Sequence, residues 1–224
     1  GKPPKKNLSS CYQSGPLSFE YFCDDNKIIT NCGYGVNISK KARLLSRFTS
    51  AQSALCLNDT SIVGFEKNNI MNKAYGSLIT KDFKILNLEE KNNSNEIGIS
   101  AGHDAYLKNF GCIHNRKISI DKINNKVVGQ DKITRENLNS KIKYDIRFHL
   151  YPGLTAIKTI GGNTLLIQIN KNKALLFSSN EKNLKIEKSI FFGGQKVLDN
   201  YCILISGIME NNEKTIDWEI KKKI

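Results

Sequence analysis

Three histidines occur in the 224 residues, and two of them, His103 and His114, share the stretch Ser100–Asp121 (SAGHDAYLKNFGCIHNRKISID). Asp104 follows the first directly, and Arg116 stands two residues after the second. His103, Asp104 and His114, completed by a third kind of group, would make a donor set for a divalent metal, and imidazoles can also carry protons near neutral pH. Against a shared metal, neighbouring strand side chains point to opposite faces. The period-2 pattern of Cys112–Ile120 puts His114 and Arg116 on one face with Ile118 and Ile120. The rival reading makes His103, Tyr106, His114 and Arg116 a polar network that braces a β-core.

The third histidine lies in Tyr144–Tyr151 (YDIRFHLY). Here Tyr144, Ile146, Phe148 and Leu150 share one face, while Asp145, Arg147, His149 and Tyr151 share the other. Such a polar face is either solvated or one wall of a groove. Pro152-Gly153 then ends the strand in a turn.

The elements that position these residues are short and regularly spaced. Strands are expected at Leu17–Cys23 and Ile28–Cys32, joined as a hairpin through Asp24–Lys27, and at Ala54–Asn58, Ile62–Glu66, Phe83–Leu88 and Glu96–Ala101. The pattern continues through Cys112–Ile120, Lys126–Gln130, Asp145–Tyr151, Thr155–Ile160, Thr164–Asn170 and Ala174–Ser178. Lys185–Phe192, Tyr201–Ser206 and Thr215–Ile220 close it. Asn37–Ser53 lacks a strand period and suits a surface loop or short helix. No amphipathic helix of three turns is present. The expected fold is all-β, an antiparallel two-sheet sandwich. Gly1–Asn7 (GKPPKKN) reads as the end of a linker, so residues 1–10 are assigned to a linker remnant and 11–224 to one domain.

The formal charge is +13, from 34 Lys and Arg against 21 Asp and Glu. A polyanion is the partner class this favours. The lysines are dispersed, and aromatics do not interleave with them as in nucleic-acid modules, so nucleic acid is not expected. No apolar run approaches the length of a membrane span. The six cysteines contain no C-x-x-C pair, and a chain this long needs no staples, so unpaired thiols are expected.

Six segments in order resemble the C-terminal β-domain of the heparinase II/III-like polysaccharide lyases. They are GPLSFEYFCDDNKIITNCG at Gly15–Gly33, SRFTSAQSALCLNDTS at Ser46–Ser61, GHDAYLKNFGCIHNRKISI at Gly102–Ile120, KVVGQDKI at Lys126–Ile133, IRFHLYPG at Ile146–Gly153 and LLFSS at Leu175–Ser179. The resemblance implies that a helical (α/α) toroid precedes this domain, with the polysaccharide cleft between the two. It implies β-elimination at a uronate in an acidic polysaccharide, in the cell envelope or periplasm. That reaction needs the carboxylate neutralised, a base for the C5 proton and an acid for the leaving O4.

In the family the β-domain tends to supply a histidine from a motif like HSTL. The matching stretch here is Gln52-Ser53-Ala54-Leu55. Gln52 can hydrogen-bond a carboxylate but cannot shuttle a proton. The resemblance therefore leaves two readings: half of a lyase active site, or a non-catalytic glycan-binding or structural module. On the first, Gln52, His103, His114, Arg116 and His149 line one exposed groove, and Arg116 clamps the uronate carboxylate. On the alternative for Arg116, it is buried against an acid and holds the sheet. No cofactor is firmly implied beyond the divalent metal considered above.

Overall fold

The computed structural model describes residues 2–66, 76–136 and 141–223. Two antiparallel sheets pack face to face. The six-stranded sheet runs β1 (Tyr21–Cys23), β2 (Asn26–Thr30), β8 (Ile142–Leu150), β13 (Lys196–Met209) and β12 (Leu184–Gly193), with β3 (Leu55–Leu57) also pairing β8. The eight-stranded sheet runs β4 (Ile85–Asn92), β5 (Glu96–His103), β6 (Cys112–Asp121), β7 (Lys126–Arg135), β14 (Glu213–Lys222), β11 (Lys173–Ser179), β10 (Thr164–Asn170) and β9 (Thr155–Lys158). The expected sandwich is the one observed.

Alternation builds the core. Ile146, Phe148 and Leu150 on β8 face Trp218, Ile216 and Ile220 on β14 and Phe177 on β11, and all of them are buried. Phe148 lies 4.9 Å from both the Trp218 and Phe177 rings, each in an edge-to-face arrangement. Such rings bury large areas and favour this geometry.

Several boundaries differ from the sequence expectation. Leu17–Phe19 is not strand, because Leu17 takes a left-handed backbone at φ 58° and turns the chain. Asp24 and Asp25, at φ 46° and 63°, make the tight turn of the β1–β2 hairpin, and β2 begins at Asn26. Among the described residues, Ile62–Glu66 forms one bridge, Phe65 to Ile79. Within Asn37–Ser53 a short helix α1 (Lys40–Leu45) starts at Ser39, whose hydroxyl accepts the Ala42 N–H. A second short helix, α2, spans Leu107–Phe110.

The boundary drawn at residue 10 falls inside packed structure. Ser9 is fully buried, its carbonyl accepts from Arg47 Nη2 at 2.7 Å, and its hydroxyl accepts the Ile79 N–H at 2.9 Å. Arg47 is itself buried and also donates to the carbonyls of Tyr12 and Ser77. A linker assignment from proline and lysine content misses this, because backbone carbonyls leave no mark in the sequence.

Candidate functional site

His103 ends β5 and His114 lies opposite it in β6; two rungs further along, Ala101 faces Arg116, which in turn faces Asp131 on β7. Pleating sends all of these side chains to the inner face of the eight-stranded sheet. There they form a continuous chain of hydrogen bonds. The Ala105 N–H donates to His103 Nδ1 at 3.3 Å, which leaves His103 Nε2 as the protonated nitrogen. That nitrogen donates to His114 Nδ1 at 3.1 Å, and His114 Nε2 donates to Asp131 Oδ1 at 2.7 Å. Arg116 Nε donates to the same oxygen at 2.7 Å, and Trp218 Nε1 donates to Oδ2 at 2.9 Å.

His103, His114, Arg116, Asp131 and Trp218 are each at most 3% exposed. Burial drives the His103 pKa well below its ordinary value, with the charges of His114 and Arg116 adding to the effect. Burial likewise lowers His114, although Asp131 opposes it. For Asp131, burial acts to raise the pKa, but the Arg116 charge and the His114 and Arg116 hydrogen bonds overcome it and hold the carboxyl below its usual range. The cluster is thus one buried ion pair, Arg116 and Asp131, with two neutral imidazoles in series.

His149 belongs to a separate cluster on the other face of β8. Its Nε2 donates to the Ser50 carbonyl at 3.0 Å, so Nδ1 is the acceptor for Ser189 Oγ at 3.1 Å and Cys32 Sγ at 3.3 Å. Burial lowers its pKa to about 4. Of the polar face Asp145, Arg147, His149 and Tyr151, only Tyr151 is exposed, and the rest is largely covered. Asn31–Ala54 folds across it, and Asp145 and His149 are buried. Gln52 is also buried, and its Nε2 donates to the Ser46 carbonyl at 2.9 Å. Gly15 makes room for it: a Cβ at Gly15 would lie 2.7 Å from Gln52 Cγ.

The five sequence candidates therefore do not line one exposed groove together. They form three buried sets that meet at one residue, Ser53. Its carbonyl accepts from Arg116 Nη1 at 2.9 Å, its hydroxyl accepts the His149 N–H at 2.9 Å and donates to the Thr30 carbonyl, and Gln52 precedes it in the chain. Arg116 Nη1 also donates to the Leu17 carbonyl at 2.9 Å. Arg116 is held against an acid, as the structural alternative foresaw.

The metal set is not assembled either. His103 Nε2 and both nitrogens of His114 are committed to the hydrogen-bond chain, and Asp104 Oδ1 accepts the Lys84 N–H at 2.7 Å. Among the described residues no group of three or more His, Cys, Asp or Glu side chains is placed to hold a metal. The six cysteines are free, five of them buried. Sequence reasoning did not single out Asp131 or Ser53. The alternation Val127, Gly129, Asp131, Ile133 on β7 was the available signal for Asp131, and Ser53 carried none.

Comparison with known proteins places this architecture. The family model described as heparinase II/III-like, C-terminal, matches residues 1–219. FtsZ-localized protein C of Caulobacter vibrioides is 22% identical over 231 residues, covering 99% of this chain and 39% of that protein. Among solved structures, heparan sulfate lyase HepC from Pedobacter heparinus superposes with a TM-score of 0.73 at 14% identity, over 94% of this chain and 30% of the lyase. A heparinase III structure gives 0.63 at 12% identity over the same shares. The chain thus spans well under half the length of these relatives. It belongs to the heparinase II/III-like family, in which it corresponds to the C-terminal domain.

Proposed function

We propose that this domain is the non-catalytic β-half of a protein that handles acidic, uronate-containing polysaccharide in the cell envelope, beside a toroid domain. The observation that carries this reading is the burial of Gln52, His103, His114 and His149 in hydrogen bonds that leave no titratable ring free to meet a sugar. Elimination at a uronate needs a base at C5 and an acid at O4, each within hydrogen-bond reach. Three neutral, committed imidazoles and one glutamine supply neither. The domain's work is then to hold the strap Gln52–Ala54 rigid, through Ser53, at the cleft, and the positive charge favours the polyanion.

The test uses the whole protein that carries this domain. Affinity electrophoresis with several uronate polysaccharides should show retardation, while absorbance of the unsaturated uronate product stays at background. Product formation that His149→Gln or His114→Gln abolishes, with the fold intact, would return these residues to catalysis and sink the reading. The name of the Caulobacter vibrioides relative favours a second reading of place rather than chemistry, in which the whole protein localises with FtsZ. A fluorescent fusion spread evenly around the cell would discard it.

A further inference from the structure

The inner face of the eight-stranded sheet is not covered along its whole length. Rungs pairing Ala101 with Arg116, Ile99 with Ile118 and Ile97 with Ile120 continue along β5 and β6. The outer rungs are open to solvent: Ile97 is 44% exposed, Ile99 47% and Ile120 46%. Between this strip and the Leu17–Phe19 turn lies a cavity of about 380 Å³, walled by Leu17, Phe19, Leu88, Ile99 and Ile118. That volume falls within the range of small-molecule sites.

Arg116 shares this face and lines the inner end of the cavity. Its Nε and Nη1 are engaged, but Nη2 is buried with no partner among the described residues. A buried guanidinium nitrogen without an acceptor is costly, so the Arg116 end of the cavity favours an anion. Lys2 also lines the cavity and adds positive charge.

One cation at the end of aliphatic walls selects the ligand's chemistry. A sugar would bury hydroxyls against isoleucine, and a peptide would bury amides with no main-chain partner, because β5 is hydrogen-bonded on both sides. An alkyl chain carries no such groups. From Arg116 to Ile120 the strip runs four residues, roughly 13 Å of strand, enough for an acyl chain of about ten carbons.

We propose that this cavity binds an amphiphilic carboxylate, with its headgroup at the Arg116 end and its alkyl chain along Ile99, Ile118 and the exposed rung beyond. The inference stands apart from the polysaccharide reading, since it concerns a different ligand on apolar walls. Its probe is decanoate, below its micellar concentration. Trp218 is the one tryptophan of the chain and stacks on Phe19, a wall of the cavity, with ring centroids 5.4 Å apart. Its fluorescence therefore reports binding.

Decanoate should give a saturable change, and decanol should bind about tenfold more weakly, the loss expected for one charge-assisted hydrogen bond. Decyltrimethylammonium should not bind at the same concentrations. Ile99→Asp alters an exposed side chain, so it should abolish decanoate binding with thermal unfolding unchanged. Equal affinity for decanol, no saturable response to decanoate, or binding that survives Ile99→Asp would each overturn the proposal.

Discussion

The neutral histidines give the domain a defined acid sensitivity, and His149 is the cleanest place to measure it. In the unfolded chain its pKa is about 6.5; in the folded chain burial lowers it to about 4. Between those values the unfolded state binds a proton that the folded state refuses. Stability is therefore full above about pH 6.5 and falls as the pH drops toward 4. Two and a half pH units at about 1.4 kcal/mol each make His149 alone cost about 3 kcal/mol by pH 4, a large share of a typical net stability. His103 and His114 act with the same sign, because their folded pKa values are lowered too. Asp131 is held below its usual range, so its contribution is lost only under stronger acid.

The perturbation is His149→Gln, which removes the titration but keeps an amide able to donate to Ser50 O. The assay is urea unfolding at several pH values between 7 and 4.5. Near pH 5 the wild-type free energy should fall by up to about 4 kcal/mol per pH unit if all three histidines protonate on unfolding. The variant's slope should be lower by up to about 1.4 kcal/mol per pH unit, one proton's worth. Its stability at pH 7 will drop somewhat through the lost Ser189 and Cys32 contacts, so the slope, not the midpoint, decides. An unchanged slope would refute the claim that His149 is neutral and buried in the folded state.

Asp131→Asn should destabilise by about 3–5 kcal/mol at pH 7, because it leaves Arg116 buried without its counter-charge; a shift under about 1 kcal/mol in urea unfolding would contradict the pairing. Gly129→Ala should cost at least about 1–3 kcal/mol and alter Trp218 fluorescence, since a Cβ there would sit 2.0 Å from Trp218 Cζ2. Unfolded, unreduced protein should titrate six thiols, and native protein chiefly Cys11, the one exposed cysteine; a lower count after unfolding would mean a disulfide.

Strand order along the chain was legible because alternation and turn chemistry are local. The β5 to β8 segments came through with ends misplaced by a few residues, and the Asp24-Asp25 turn was visible as a polar break. What escaped was the third dimension of the polar faces. Asp145, Arg147 and His149 alternate as a solvated or groove-lining face does, and only contacts from distant segments decide otherwise: Ser50, about a hundred residues earlier in the chain, accepts from His149, and Ser206 donates to Asp145. Likewise the spacing of His114 and Arg116 gave their shared face but not their partner. Asp131 joins them through strand register, a pairing that one sequence does not encode locally. Family motifs singled out these residues, but proximity to a substrate is a property of the surface, and the three histidines and Gln52 lie beneath it.

The arrangement of the Arg116 fork says what the buried ion pair is for. An ion pair taken out of water gains little over well-packed apolar residues of the same volume, so stability alone is a weak reason to keep one. Arg116 does something an aliphatic residue cannot: from one planar group it holds Asp131 on β7, the Leu17 carbonyl on the turn before β1 and the Ser53 carbonyl on the strap before β3. Leu17 sits in left-handed backbone, which costs a non-glycine residue about 1–2 kcal/mol, and the hydrogen bond to its carbonyl helps to keep it there. Ser53 in turn fixes the strand that carries His149 through its hydroxyl. Two irregular segments far apart in sequence are thereby pinned to the sheet at one point, beside Gln52. Arg116 and Ser53 thus have a structural task in the geometry they impose on the strap.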